Sequence, residues 1–380
     1  MSKQLHVYSD FSQPVVLLGT PGGTQTVPLN HVWPGHHVAD LPIGHEDVYF
    51  AIQDKVSGRT QTLFNGDWYR LPGDMPEAWW RAGAVLDVNP DAIGFDLIDS
   101  HTHPYDRDHA GRMVYDDRIM LELLPRQGVG MAITMTAGPL DRQRRRIAAL
   151  VKNRPWIVPL VWVHARQDSA EQVEVLLRDH GFRGLKFHPT VDRYAADGPA
   201  MDAMLRLAER YNVPVQIHSA TDDRSRPERL AELAARHPRV PVIMVHTELG
   251  ALDKGPSIET IRSLPNLIAE TSWVSPEGIL ETMSVIGSER TLYGTDATVD
   301  GQAQYEKRSV PNCRGQFIYR LPDVVAGVRA KAPAADFANW ARLNAIRLYG
   351  LRLAPVVAAR VQAAATPTAM PVMIKESRSR

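Results

Sequence analysis

Two histidines lie two positions apart in the segment Asp99-Ser-His-Thr-His-Pro104, directly after the apolar run 93–98. Because side chains alternate faces along a strand, His101 and His103 are expected to point to the same side where that strand ends. Neutral imidazole nitrogens and carboxylate oxygens are the ligands of catalytic zinc, which keeps one coordination position open for water. A His-x-His pair alone is also typical of surface or core histidines, so the rest of the chain must distinguish the two interpretations.

The composition of the 380-residue chain excludes several kinds of partner. Lys+Arg and Asp+Glu both total 43, so no net charge favours nucleic acid or an anionic membrane surface. The single cysteine, Cys313, excludes an internal disulfide and indicates a reducing compartment, and the N-terminus has no apolar signal-peptide core. We therefore expect a cytoplasmic protein that acts on a small molecule, without a nucleic-acid or membrane partner. A homo-oligomer is left open.

Residues 1–92 have the pattern of a small β-rich accessory domain. Short β-branched or aromatic runs are separated by turn signals such as Pro21-Gly-Gly and Asn65-Gly, which predicts an antiparallel sandwich or barrel. The segment 75–83 is interpreted as a short helix that leads out of this domain. The histidines of the region lack metal-ligand spacing, so we expect it to supply no metal ligand.

From residue 93 to about 350 the pattern changes to alternating strands and helices. Strand-length apolar runs lie at 93–100, 129–136, 157–163, 183–188, 213–218, 240–246, 266–271 and 290–296, and helical segments at 116–124, 169–177, 201–211 and 227–236. This order predicts an α/β protein with a (β/α)8 TIM barrel over 93–351, followed by a partly mobile tail at 352–380. An open doubly wound sheet is the alternative, but no glycine-rich phosphate loop follows any strand.

Ionisable side chains directly follow four of these apolar runs. They are Lys186 and His188 at the fourth, His218 at the fifth, His246 at the sixth and Asp296 at the eighth. Burial of such groups costs free energy unless they are paired or metal-bound. The active site of a (β/α)8 barrel lies at the C-terminal strand ends, so this distribution indicates one catalytic site.

With these motifs the chain resembles the amidohydrolase superfamily, specifically the amidohydrolase-2 branch that includes relatives of aminocarboxymuconate-semialdehyde decarboxylase. The resemblance covers about 93–351 and rests on the segments 99–103, 181–189, 213–218, 237–246, 293–296 and 344–351. It implies a divalent metal, usually zinc, held by His101, His103, His218 and Asp296, with His246 near the water that the metal activates. We expect one Zn²⁺, with Mn²⁺ as the alternative ion and a second ion as the alternative stoichiometry.

The predicted function is hydrolysis of an amide, cyclic amide or lactone bond in a small molecule, with His246 and Asp296 as catalytic groups. The alternative is non-oxidative decarboxylation of an aromatic or unsaturated acid on the same metal site, because the branch includes both chemistries. His-x-His rather than Glu-x-His at the first strand favours hydrolysis. A non-catalytic binding protein on a relic barrel is the interpretation from another class, and the complete ligand set disfavours it.

Several further residues are candidate substrate contacts. Lys186 is interpreted as a carbamylated bridge between two metals, as a partner of a substrate carboxylate, or as a partner of a neighbouring acid. Arginines in the loops after the first and fifth strands favour an anionic substrate, although solvated surface arginines have the same pattern: Arg107, Arg112, Arg224 and Arg226. Candidates for the pocket itself are His188, Trp273 and Tyr194.

Overall fold

The computed structural model describes part of the N-terminal region and most of the chain from residue 96 to 351. The described ranges are 3–8, 11, 13–20, 23–33, 36–41, 47–61, 68–71, 77–81, 84–86, 96–107, 113–116, 124, 127–152, 154–247, 255–297, 310–311, 317–318 and 321–351. Arg112, the tail 352–380 and most of the predicted helix 116–124 lie outside the described residues.

Strands form the described part of the first 86 residues. They are β1 Lys3–Tyr8, β2 Pro14–Thr20, β3 Gly23–Pro28, β4 Asn30–Trp33, β5 His36–Leu41, β6 Val48–Asp54, β7 Thr60–Gln61, β8 Tyr69–Leu71, β9 Glu77–Arg81 and β10 Ala84–Leu86. One sheet has the order β10-β9-β1-β5-β4, and the other has β3-β2-β6-β7 with β8 also paired to β6. Leu5 and Ala39 of the first sheet share one buried cluster with Val16 and Phe50 of the second.

The helix predicted over 75–83 is wrong. Residues Glu77–Arg81 form strand β9, which pairs in parallel with β1 and antiparallel with β10. Trp79 and Trp80 favour a pleated, half-buried surface, and a helix this short is marginal without a capping residue. The hydrogen bonds of two neighbouring strands therefore outweigh the weak local preference for a helix.

The second part of the chain is α/β. Its strands are β11 Leu97–Thr102, β12 Tyr105–Arg107, β13 Met113–Tyr115, β14 Val129–Thr134, β15 Ile157–Pro159, β16 Val161–Trp162, β17 Leu185–Phe187, β18 Val215–His218, β19 Val242–Val245, β20 Leu267–Glu270, β21 Thr291–Leu292, β22 Val310–Pro311 and β23 Phe317–Ile318. Parallel pairing joins β11-β14-β15 in one sheet and β16-β17-β18-β19-β20-β21 in another. The strands at the predicted runs are thus confirmed, each within a few residues.

Helices lie between most of the parallel strands and after the last one. They are α1 Leu140–Val151, α2 Ala170–Asp179, α3 Pro189–Asp192, α4 Pro199–Tyr211, α5 Pro227–Arg236, α6 Gly255–Ser263, α7 Pro276–Ile286, α8 Leu321–Lys331, α9 Ala334–Ala338 and α10 Asn344–Tyr349, with a 3-10 turn at Ser288–Arg290 and a π-helical segment at Asn339–Leu343. Among the described residues, no helix has the length and apolar character required to cross a bilayer. The predicted helices 169–177, 201–211 and 227–236 correspond to α2, α4 and α5.

Both faces of the parallel strands are buried, as expected for strands covered by helices. In β19, Val242 and Met244 belong to the cluster that includes the helices, whereas Ile243 and Val245 pack in a second cluster with residues of other strands. Ile98 and Ile268, from β11 and β20, belong to this second cluster. One face of β19 thus packs in the cluster that includes most of the helices, and the other in a cluster of strand residues and helical residues between 338 and 351.

Backbone hydrogen bonds link the two parallel sheets at both edges. At one edge the Pro159 carbonyl of β15 accepts the N–H of Arg183, just before β17, over 2.8 Å. At the other edge Ser100 donates to the Tyr293 carbonyl over 3.0 Å, and Asp296 donates to the His101 carbonyl over 2.9 Å. The last strand segment therefore lies beside the first, which brings Asp296 next to His101.

Candidate metal centre

The polar residues at the strand ends converge where three backbones turn sharply. His246, Trp273 and Asp296 follow β19, β20 and β21, with φ of 60°, 69° and 53°. Left-handed backbone is uncommon for residues other than glycine, and it concentrates at functional sites. Each turn stops the strand and reorients the side chain that follows it.

His101, His103 and Asp296 form the closest part of the cluster. Asp296 Oδ1 lies 3.2 Å from His101 Nε2 and 3.1 Å from His103 Nε2, and the two Nε2 atoms are 3.2 Å apart. All three residues are buried. Ligand atoms 2.0–2.1 Å from one tetrahedral zinc ion lie roughly 3.3 Å from each other, so the spacing of these three atoms fits a shared metal.

The hydrogen bonds of the rings decide which nitrogens carry protons. The Gln216 amide nitrogen donates to the Ser100 carbonyl and to the Tyr349 hydroxyl, each over 2.6 Å, so the amide oxygen faces His101. That oxygen lies 2.5 Å from His101 Nδ1 and can only accept, which places the proton on Nδ1. In the neutral ring, Nε2 is then an acceptor directed at Asp296.

His103 has the same orientation through a different partner. Its Nδ1 lies 3.2 Å from the carbonyl oxygen of Met135, which can only accept a proton. When both rings are neutral, two unprotonated Nε2 atoms and a carboxylate oxygen face each other without a proton to share. A bound cation relieves that repulsion, and metal-bound histidines are commonly held by such hydrogen bonds on the other ring nitrogen.

His246 lies on the opposite side of Asp296. Its Nε2 is 3.6 Å from Asp296 Oδ2, and its Nδ1 is 2.6 Å from the hydroxyl of Ser272. One ligand atom each of His101, His246 and Asp296 lies within 4.8 Å of the others, so this buried cluster could hold a metal ion. The indole N–H of Trp273 donates to Asp296 Oδ2 over 2.9 Å and orients the carboxylate.

His218 and His188 form a ring stack beside this cluster. Their centroids are 3.8 Å apart with an angle of 17° between the planes, and Trp162 stacks on the other side of His188 at 5.6 Å. His188 accepts the Val191 N–H at the start of α3, whereas the described residues offer the His218 ring no hydrogen-bond partner. His218, whose ring lies 5.1 Å from that of His246, thus has nitrogens free for a metal.

Burial sets the charge state of the cluster. It lowers the pKa of His101 to about 3, with Lys186 as a second cause, and it lowers the pKa of His218 and His246 well below the ordinary value. Burial raises the pKa of Asp296, but His246 and the other neighbouring imidazoles outweigh it and the pKa falls well below its usual range. At neutral pH, these three imidazoles are neutral and Asp296 is ionised.

Lys186 is almost fully buried on β17, at 1% exposure. Within the described part of the chain its ammonium makes no hydrogen bond or ion pair. Burial lowers its pKa to about 8, against the attraction of Asp296 and Glu270. Lys186 is therefore a buried cation beside the histidine cluster that has no bonded counter-ion among the described residues.

The other candidate contacts lie elsewhere. Arg224 and Arg226 are exposed and are held by Asp222 and Asp223 at 3.3 Å and 3.7 Å. Arg107 ends β12, and the Tyr194 ring contacts His164 at 6.1 Å. The structure therefore does not bring the two exposed arginines into the cluster, because acids two or three residues away in the same loop pair with them.

Sequence analysis missed Gln216, Glu270 and Ser272. Gln216 precedes His218 by two positions, so both side chains extend from the same face of β18. Glu270 ends the seventh apolar run just as His218 and His246 end theirs, and that position was a usable signal. The hydroxyl of Ser272 had no distinguishing pattern, because serine after a strand is common in loops.

The fold and this cluster define an α/β enzyme with a buried His/Asp centre that can hold a metal. The amidohydrolase-2 family model, described as "Amidohydrolase", matches residues 98–351, which is more than half of the chain. The chain therefore belongs to the amidohydrolase-2 family and is an enzyme of the amidohydrolase superfamily, as the motifs indicated. No curated protein matches the chain.

Solved structures resemble it at low identity. An amidohydrolase from Burkholderia multivorans with bound zinc has a TM-score of 0.52 at 16% identity over 67% of this chain and 99% of that one. The 5-carboxyvanillate decarboxylase of Sphingomonas paucimobilis has 0.50 at 16% identity over 68% and 99%. For the probable 2-pyrone-4,6-dicarboxylic acid hydrolase of Acinetobacter baumannii, crystallised with citric acid, the values are 0.47 and 15% over 67% and 99%. Likeness at this level concerns the fold.

Proposed function

We propose that the chain is a metal-dependent hydrolase that cleaves an amide, cyclic amide or lactone bond of a small anionic molecule. The observation that carries this proposal is the position of His246, a buried imidazole whose Nε2 lies 3.6 Å from Asp296 Oδ2. Such a group accepts a proton from water, which hydrolysis requires. Decarboxylation instead needs a proton donor for the carbon that loses carbon dioxide.

The proposed metal ligands are His101, His103, His218 and Asp296, which supply three nitrogens and one carboxylate oxygen. One zinc ion suits this set, with Mn²⁺ as the alternative; a second ion would require Lys186 as a carbamate bridge. When bound, the metal lowers the pKa of a water and polarises the substrate carbonyl. Hydrogen bonds with Gln216, Met135 and Trp273 hold the proposed ligands His101, His103 and Asp296 in place. None of these bonds is made to the histidine Nε2 atoms or to Asp296 Oδ1, the three atoms that face each other.

His246 transfers the proton in both directions. Its Nε2 takes the proton of the attacking water as the new carbon–oxygen bond forms. When the carbon–nitrogen or carbon–oxygen bond of the substrate breaks, the imidazolium returns that proton to the leaving atom. Burial keeps the free imidazole neutral before each cycle.

Lys186 supports an anionic substrate. Its buried ammonium lacks a bonded partner among the described residues, and a substrate carboxylate would supply the missing charge. His188 and Trp162 border the same region through their stack with His218. Arg107 remains a prediction. Arg224 and Arg226 also remain predicted rather than proposed contacts, because Asp222 and Asp223 pair with them at the surface.

We further propose that the parallel strands close into a (β/α)8 barrel over 93–351. The parallel bridge between Thr102 and Ala297, together with the Ser100–Tyr293 hydrogen bond, supports closure between the first and last strands. Residues 1–92 are proposed as an accessory domain that supplies no metal ligand. A 93–380 fragment should then fold and bind metal; a folded fragment without metal would contradict this division.

Isotopically labelled water tests the reaction. Zinc-loaded protein is screened with anionic lactones and N-acyl amino acids, and a hydrolase places one labelled oxygen in the product carboxylate. Decarboxylation of an aromatic or unsaturated acid remains the second candidate, because Lys186 suits a carboxylate in either reaction. Carbon dioxide release without incorporated label would replace the proposal by that candidate. Ligand binding without turnover would favour the non-catalytic interpretation.

A further inference from the structure

A chain of buried polar groups connects the ends of β19 and β20. His246 Nδ1 lies 2.6 Å from the Ser272 hydroxyl, and that hydroxyl lies 2.7 Å from Glu270 Oε2. We propose that Glu270 and Ser272 are positioning residues that keep the proton of His246 on Nδ1, so that Nε2 remains the proton acceptor of the reaction. The tautomer follows from the hydrogen bonds of an ionised Glu270, whereas its catalytic consequence rests on the proposed function.

The direction of the chain follows from the donors available. A serine hydroxyl has one proton, and above its pKa of about 7 the Glu270 carboxyl is ionised and can only accept. The Ser272 proton therefore goes to Glu270, and the Ser272 oxygen accepts from His246 Nδ1–H. All three residues are buried, with exposures of 4% for His246, 1% for Ser272 and 0% for Glu270.

Further contacts hold the carboxylate in this orientation. Glu270 Oε1 accepts the Ser272 N–H over 2.8 Å, and Oε2 accepts the His246 N–H over 3.2 Å. At position 294, a Cβ atom would lie 2.1 Å from Glu270 Oε1, so the glycine there is required for this packing. Both oxygens of the Glu270 carboxylate therefore accept an N–H group. The proposed direction of the hydrogen bonds requires this accepting role.

The variant Glu270→Gln should reverse the direction of the hydrogen bonds in this chain, because glutamine has nearly the size of glutamate but carries an N–H donor. The amide oxygen can keep only one of the two backbone N–H groups, and we expect it to keep the shorter contact, the Ser272 N–H at 2.8 Å, over the His246 N–H at 3.2 Å. The amide nitrogen then takes the Oε2 position and donates to the Ser272 oxygen. The hydroxyl proton then goes to His246 Nδ1, which moves the ring proton to Nε2 and removes the acceptor. A carboxylate-to-amide change that produces the wrong histidine tautomer lowers turnover by roughly 10⁴-fold in serine proteases.

The experiment uses zinc-loaded full-length protein labelled with ¹⁵N at histidine, at about pH 8.5, where Glu270 is ionised. Ring-nitrogen NMR, with the His246 signals assigned by their loss in His246→Asn, should show Nδ1–H in the native protein and Nε2–H in Glu270→Gln. Metal content should be unchanged, and turnover should fall by about 10²–10⁴-fold with a much smaller change in KM. The turnover of Ser272→Ala should be about 10–100-fold below that of the native protein. Ser272→Thr, which keeps the hydroxyl, should retain most of the native turnover.

Thr271→Val is the matched control. Thr271 lies between the two positioning residues and is equally buried, but its hydroxyl accepts from Trp340 and donates to the Leu292 carbonyl. This variant should keep both the tautomer and the turnover per bound metal. If Glu270→Gln fails to fold, Ser272→Ala against Ser272→Thr makes the same comparison.

Two results would overturn the proposal. One is a native His246 with its proton on Nε2, and the other is a folded Glu270→Gln in which the proton stays on Nδ1. Neither result depends on the substrate. A protein that shows the expected tautomers but hydrolyses nothing would refute the proposed function and leave the positioning role intact.

Discussion

Asp99 and Glu270 make almost the same hydrogen bonds next to two histidines of the site. Each carboxyl accepts the backbone N–H of a histidine and the hydroxyl of a nearby residue. Asp99 accepts the backbone N–H of His101 over 3.1 Å and the Thr295 hydroxyl over 2.6 Å. Glu270 accepts the backbone N–H of His246 and the Ser272 hydroxyl. Burial raises the pKa of both carboxyls, to about 8 for Asp99 and about 7 for Glu270.

The two regions differ in what the hydroxyl reaches. Ser272 continues to the ring of His246, whereas Thr295 accepts the Ala297 N–H and the ring of His101 is held by the neutral amide of Gln216. A neutral acceptor fixes the orientation of a ligand, and a chain that ends in a carboxylate also supports positive charge on the ring. This difference supports the proposed assignment of His101 as a metal ligand and of His246 as a proton acceptor.

Asp296→Asn should have the largest effect, because it removes the anionic ligand that both regions share. We expect metal content below about half an equivalent and no measurable turnover in folded protein. Elemental analysis after growth with zinc, alongside circular dichroism, measures both. Full metal content in this variant would place the metal elsewhere.

His246→Asn tests the proton-accepting region. The proposal places His246 outside the coordination sphere, so metal content should stay near one equivalent while turnover falls by about 10²–10⁴-fold. Elemental analysis and steady-state kinetics measure the two quantities. A native protein with two equivalents that fall to one, here and in Lys186→Met, would instead establish a two-metal site.

Gln216→Leu tests the metal-holding region. Without the amide oxygen, the proton of His101 is no longer kept on Nδ1, and metal affinity should fall by about 10–100-fold. Turnover at saturating metal should change far less, opposite to the pattern expected for Glu270→Gln. Competition with a chelator of known zinc affinity measures the change. Unchanged affinity with lost turnover would abolish the distinction between the two regions.

Asp99→Asn should have the smallest effect on the site, because Gln216 and not Asp99 sets the His101 ring. Its effect is on stability. In the unfolded chain Asp99 ionises near pH 3.8, but in the folded protein it keeps its proton until about pH 8. The folded state thus binds more protons between these values, and this group lowers the free energy of unfolding as pH rises, by up to about 1.4 kcal/mol per pH unit.

Urea unfolding of metal-free protein at pH 5 and pH 8 measures this difference. Asparagine cannot ionise, so the variant should gain stability relative to the native protein as pH rises, by several kcal/mol at most. Glu270 is present in both proteins, so its own contribution cancels apart from its charge interaction with Asp99. A difference that does not change with pH would show that Asp99 is ionised throughout.

Local sequence determined the strands and much of the histidine cluster. The apolar runs and the two-residue period placed His101 and His103 on one strand face, and His218 and His246 at the ends of β18 and β19. These features depend on residues close in the chain, so a single sequence contains them. Family motifs added the expectation of a metal, which local periodicity alone leaves open.

Tertiary structure alone decided which partners set the protons of the rings. Gln216 contacts His101, which is 115 positions away in the sequence, and Ser272 contacts His246, which is 26 positions away. The residues next to an amide or hydroxyl side chain in the sequence do not indicate such a partner. Trp273, which the sequence suggests for the pocket wall, also donates its indole N–H to Asp296, a partner that only the folded chain places beside it. Likewise, Arg224 and Arg226 have the residue type of anion-binding groups, yet neighbouring acids hold them at the surface. Hydrogen-bond direction depends on distances between strands far apart in sequence, which only the folded chain determines.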